Sequence, residues 1–67
     1  MLSDERVQAL RAKAQSKARG RSVASLLTAA AKADKVRSQV RSEEARTAFA
    51  VLAEVYRAEI ERRRALR

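Results

Sequence analysis

The stretch Ser42-Glu43-Glu44-Ala45-Arg46-Thr47-Ala48-Phe49-Ala50-Val51-Leu52-Ala53-Glu54-Val55-Tyr56-Arg57-Ala58-Glu59-Ile60 reads as one amphipathic helix, part of whose apolar stripe is expected to pack within the chain and the rest against a second copy. Ser42 offers a hydroxyl to the first free backbone N–H groups, and Glu43 and Glu44 set negative charge against the positive end of the helix dipole. Ala45, Ala48, Phe49, Leu52, Val55, Tyr56 and Ile60 then recur every three or four residues and form the strongest apolar stripe in the protein. Glu54 to Ala58 and Glu59 to Arg63 read as the solvated face, with Glu59 and Arg63 an i,i+4 ion pair. The cationic end, Arg62-Arg63-Arg64-Ala65-Leu66-Arg67, suits a helix C-terminus, so this helix is expected near 43–66.

Upstream, the single glycine, Gly20, punctuates the chain. A first helix is expected near 4–19, with Ser3 as its cap, Asp4 and Glu5 in its first turn and Gly20 at the C′ position that glycine favours. Its apolar stripe, Val7, Leu10, Ala14 and Ala18, is thin, since half of it is alanine. Ser22 opens a second helix, expected near 22–41, with Val23, Leu26, Ala30, Ala33, Val36 and Val40 along one side. The run Ala29-Ala30-Ala31 lets a neighbouring helix come close, and Asp34 marks a place for a kink. There is no proline, and no alternating run of β-branched residues reads as a strand. The expected fold is all-α: a small three-helix bundle or helical hairpin, one domain over 1–67. Its basic part is 1–42, and an amphipathic association helix occupies 43–67.

At 67 residues, fifteen of them alanine, the chain lies near the lower size limit for a domain that folds alone. Without Cys or His it has no disulfide, and no transition-metal site is expected. Association with a second copy is the remaining source of stability, and a homodimer is expected, with Phe49, Leu52, Val55, Tyr56 and Ile60 as its interface. The opening residues Met1-Leu2-Ser3-Asp4-Glu5-Arg6 hold no apolar core of a signal peptide, and no window is apolar enough to span a membrane. A cytoplasmic protein with no membrane partner is expected. The two commonest catalytic side chains are missing, and no phosphate-cradling glycine loop is present, so the chain is read as a binding protein with no cofactor and no enzymatic activity.

The net charge is +8, from 16 basic and 8 acidic residues. Residues 1–42 hold ten Lys/Arg and three Asp/Glu, whereas residues 43–67 hold six and five. Such an excess repels itself unless a polyanion or an acidic surface neutralises it. The run 11–22 carries Arg11, Lys13, Lys17, Arg19 and Arg21 with no acid between them. Lys13 and Lys17 are i,i+4 neighbours, with Arg6 on the same side, and their repulsion is relieved by an anion seated between them. A second group, Lys32, Lys35, Arg37 and Arg41, is opposed in the sequence only by Asp34. These nine cations are the candidate phosphate contacts, with Ser16 and Ser22 able to add neutral hydrogen bonds.

Base-specific reading has less support. Arg19-Gly20-Arg21 has the arginine–glycine–arginine core of an AT-hook, but Ser22 stands where proline follows, and a helix cap accounts for Gly20. A helix-turn-helix fails on register, because Thr28 falls at the turn position and Asp34 and Arg37 at apolar ones. Aromatic platforms for single strands are nearly absent. The expected function is a small basic DNA-binding accessory or regulatory protein that contacts the phosphate backbone of double-stranded DNA. The alternative is a protein-interaction module, an adaptor or small subunit, whose basic face meets an acidic protein partner.

Overall fold

The computed structural model describes residues 2–66 and contains three helices, α1 (Asp4–Arg19), α2 (Val23–Gln39) and α3 (Glu43–Ala65). Met1 and Arg67, the first and last residues of the segments read above, lie outside the described residues. Each helix begins at the serine expected to cap it. The Ser3 hydroxyl accepts from the Arg6 N–H at 3.2 Å, Ser22 from Ser25 at 3.1 Å and Ser42 from Ala45 at 3.4 Å. Such a cap contributes about 1 kcal/mol, which matters in a chain this short. Asp4 and Glu5 open α1, Glu43 and Glu44 open α3, and Arg62, Arg63 and Arg64 close it.

Two helix ends differ from the expectation. Gly20 is the C-cap of α1 itself, with φ −88° and ψ 0°, so it does not use the left-handed conformation for which glycine is selected. The second helix ends at Gln39, because Val40 is extended and its carbonyl accepts from the Arg46 Nε at 3.1 Å instead of continuing the helix. Asp34 produces no break in α2, and its carboxylate turns to α3.

The contacts fix the topology. Arg11 meets Glu54, and Arg63 reaches the carbonyls of Ala18 and Arg19, so α1 runs parallel to α3. Val23 and Leu27 lie beside Ile60, whereas Arg37 and Ser38 lie beside Arg46 and Thr47, so α2 runs antiparallel to it. Both helices pack on α3 and hardly touch each other. The result is the expected all-α three-helix bundle, up-down-up and compact at 38 × 25 × 16 Å, with α3 as the helix on which the other two pack.

That arrangement explains the core. Ala14, Ala18, Leu26, Ala30, Val51, Val55, Tyr56 and Ile60 form it, and Val7, Leu10, Ala29 and Leu52 pack against it. Among the described residues, Leu26 is the one large side chain that is fully buried. A single stripe on α3 does not account for Val51 and Ala53, which project to opposite sides of the helix and are both buried. With a neighbour on each side, α3 buries more than half of its circumference. Val55, Tyr56 and Ile60 are thereby enclosed within the chain itself, and only Phe49 and Leu52 of the expected association stripe stay partly exposed.

Candidate nucleic-acid interface

The carboxylates sort the cations before any ligand does. Arg11 pairs with Glu54 at 3.1 Å, Arg57 grips Asp34 through both guanidinium nitrogens, and Arg64 meets Glu61 at 3.1 Å. Glu59 accepts from Arg62 at 2.7 Å and from Arg63 at 3.2 Å. The sequence placed Glu59 on the solvated face, but it is 7% exposed. It is buried because α1 and α2 converge over this end of α3 at the 19–22 turn, and the two guanidiniums satisfy its oxygens there. The Arg62 hydrogen bonds hold its carboxyl below the usual carboxylate range against the opposing effect of burial, and Arg63 adds to the same effect. The Arg57 hydrogen bond does the same for Asp34, with a smaller contribution from Arg37.

Asp34 therefore does not neutralise its α2 neighbours, as its sequence position suggested. Among the described residues, no carboxylate lies within ion-pair distance of Lys13, Lys17, Arg19, Arg21, Lys32, Lys35, Arg37 or Arg41. These eight do not share one surface. Arg21 and Lys32 border a groove of about 250 Å³ between α2 and α3, whose floor includes Ala29, Val36, Phe49 and Leu52. Arg21 lies over the Tyr56 ring, 5.5 Å from its centre, and donates to the Ser25 hydroxyl at 3.5 Å. The ring and the hydroxyl orient the guanidinium without cancelling its charge.

The cations of α1 divide by flank. Ala14 and Ala18 face α3, and Arg11 lies on the flank that meets Glu54. Lys13 and Lys17, with Leu10 and Arg6 at helical spacing, lie on the other flank. Arg21 and Lys32 border the groove, and Lys13 and Lys17 lie exposed on α1. Arg19 lines a separate hollow with Gln15 and Arg62, whereas Arg21 lines the groove with Lys32. Lys35 is exposed on α2, and Arg37 and Arg41 lie toward the α2–α3 turn.

The sequence reading missed Arg46. It stands beside Arg37 in a shallow depression with Ser38, Thr47 and Ala50. The signal for it was available, since 37 and 46 lie four and five residues from the centre of the 40–42 turn and an antiparallel hairpin sets such positions near each other.

Among the described residues, no group of three acidic, Cys or His side chains is placed to hold a metal ion, and no helix is long and apolar enough to cross a membrane. Comparison with protein-family models, with curated proteins and with solved structures finds no match for the chain.

Proposed function

We propose that this is a small, cytoplasmic, non-enzymatic DNA-binding accessory or regulatory protein that acts as a homodimer and neutralises the phosphate backbone. The observation that carries this reading is that Lys13, Lys17, Arg21 and Lys32 have no carboxylate within ion-pair distance, with Arg21 and Lys32 bordering one groove, while other arginines are engaged by carboxylates. A phosphate chain supplies the anions this surface lacks, and backbone contact needs no base-reading side chains.

The test is fluorescence anisotropy of a labelled random-sequence duplex at several salt concentrations. Four phosphate contacts give a slope of log affinity on log salt near about −3.6, and Lys13→Glu with Lys17→Glu flattens it by about 1.8. Absence of binding at low salt overturns the reading. Unchanged binding by the double variant removes α1 from the site.

A second reading has one specific observation in its favour. The groove beneath Arg21 and Lys32 has an apolar floor, which phosphate does not need and an acidic amphipathic protein segment does. Phe49→Ala with Leu52→Ala separates the two, because it leaves the cations in place. Duplex binding survives that change if phosphate is the ligand, whereas capture of an acidic helical peptide is lost if the groove serves a protein.

A further inference from the structure

Ten consecutive residues, 22–31, carry no charge, the longest such run in a chain that is 36% charged. They form the N-terminal half of α2, and only one side of that half is used. Leu26 and Ala30 face the core, while Val23, Ala24, Leu27, Thr28 and Ala31 are exposed. Leu27 is 56% exposed, in contrast to Leu26 beside it. The Thr28 hydroxyl donates to the Ala24 carbonyl at 3.0 Å, so the one side-chain polar group of this surface is already satisfied within the helix.

The charges bordering this flank differ from those bordering the groove. Val23 and Leu27 lie against Ile60, Arg63 and Arg64. Arg63 is held by Glu59 and the α1 carbonyls, Arg64 by Glu61, and Arg57 further along by Asp34. Arg57 and Arg64 each have a carboxylate, Arg63 shares Glu59 with Arg62, and unpaired Lys35 bounds the surface at its far end. The middle of the α2 flank, from Val23 to Ala31, is thus uncharged, whereas Arg21 and Lys32 border the other apolar surface unpaired.

We infer that this flank of α2, centred on Leu27, is where a second copy of the chain docks two-fold. The inference rests on the homodimer in the proposed function and locates its interface. Two molecules of charge +8 repel each other, and a two-fold contact sets each surface against itself. Contact through the Phe49–Leu52 groove would oppose Arg21 and Lys32 to their own copies. Contact through Leu27 opposes uncharged side chains, and Ala24, Thr28 and Ala31 at three- and four-residue spacing let the two α2 helices approach closely. It also covers the most exposed leucine of α2 and leaves the groove cations of both copies free for a polyanion.

Sedimentation equilibrium of the full chain without nucleic acid tests this, so a failure of the DNA reading does not disturb the result. The wild type is expected to weigh twice the 7.5 kDa of one chain, and Leu27→Glu and Ala31→Glu are each expected to return it to one. Both positions are exposed, and helical circular dichroism checks that the variants stay folded. Phe49→Ala is expected to remain dimeric. A wild type that is monomeric at every concentration overturns the inference. It is equally overturned if both glutamate variants stay dimeric, or if Phe49→Ala alone dissociates the protein.

Discussion

Leu26 and Leu27 are chemically identical neighbours with opposite surroundings, and truncating each in turn measures the core against the surface. Leu26→Ala removes three carbons from the one large side chain that is fully buried among the described residues. At about 0.8 kcal/mol per methylene, the transfer of those carbons alone costs about 2.4 kcal/mol. The unfilled cavity extends the range for such changes to about 2–5 kcal/mol. A domain of this size holds about 3–10 kcal/mol in total, so the single truncation removes a large part of its stability. In thermal unfolding by circular dichroism, each kcal/mol is worth about 4–8 °C in a chain this short, so Leu26→Ala should lower the midpoint by at least about 10 °C. Leu27→Ala should change the stability of the monomer by less than about 0.5 kcal/mol. The comparison belongs at protein concentrations low enough to suppress association, since a partner bound at Leu27 would add stability by mass action. Equal shifts for the two variants, or a shift under about 4 °C for Leu26→Ala, would refute the placement of the core.

Gly20→Ala should be neutral or stabilising by up to about 1 kcal/mol in urea unfolding, since alanine accepts this φ and has a smaller unfolded-state entropy. The added Cβ would meet only the Lys17 carbonyl, at an ordinary 3.7 Å, so a large loss would mean that Gly20 has a conformation other than the one described. Asp34 and Glu59 both have carboxyls lowered by arginine, so their contribution is complete above the unfolded carboxyl range and is lost as pH falls through the folded values. The urea midpoint should therefore hold between about pH 7 and pH 5 and fall below about pH 4, and a midpoint that rises on acidification would contradict both pairings. In duplex binding, Lys17→Ala should flatten the salt slope by about 0.9, whereas Arg11→Ala should leave it nearly unchanged because Glu54 already holds that guanidinium. Equal effects from the two would show that the Arg11–Glu54 pair opens on binding.

What could be read in the sequence was local. Ser3, Ser22 and Ser42 announce three helix starts because a capping hydroxyl acts within one turn, and the apolar spacing of each helix follows from its own 3.6-residue period. What could not be read was how many neighbours each helix has. A stripe is visible only if one side is buried, so Val51 and Ala53 escaped notice on a helix enclosed from two sides. The same blindness put Glu59 in solvent, since nothing in positions 54–63 reveals that the turn at Gly20 roofs that end of α3. Among the candidate contacts, adjacency in sequence grouped Arg11 with Lys13 and Arg19 with Arg21; helical geometry separates the first pair, and the second lines two different hollows. A cation's availability depends on where the nearest carboxylate lies in space, and Glu54, 43 positions from Arg11, is beyond any local pattern.

The arginines at the end of α3 follow a different logic from the lysines of α1. Helix α1 has little apolar surface with which to hold its place, only Ala14 and Ala18 buried with Val7 and Leu10 beside them. Charge supplies part of what the stripe lacks. Arg63 donates to the Ala18 carbonyl at 2.9 Å and to that of Arg19 at 3.3 Å, capping the helix end, while Glu59 fixes the guanidinium from below. Arg11 ties the middle of the same helix to Glu54. Arginine suits these tasks because its planar fork donates in several directions at once, and lysine, a flexible point charge, suits contact with a phosphate chain whose register varies. A basic chain of this size thus has two uses for positive charge: the arginines that meet carboxylates set the position of α1, and that position fixes the flank on which Lys13 and Lys17 lie exposed and unpaired.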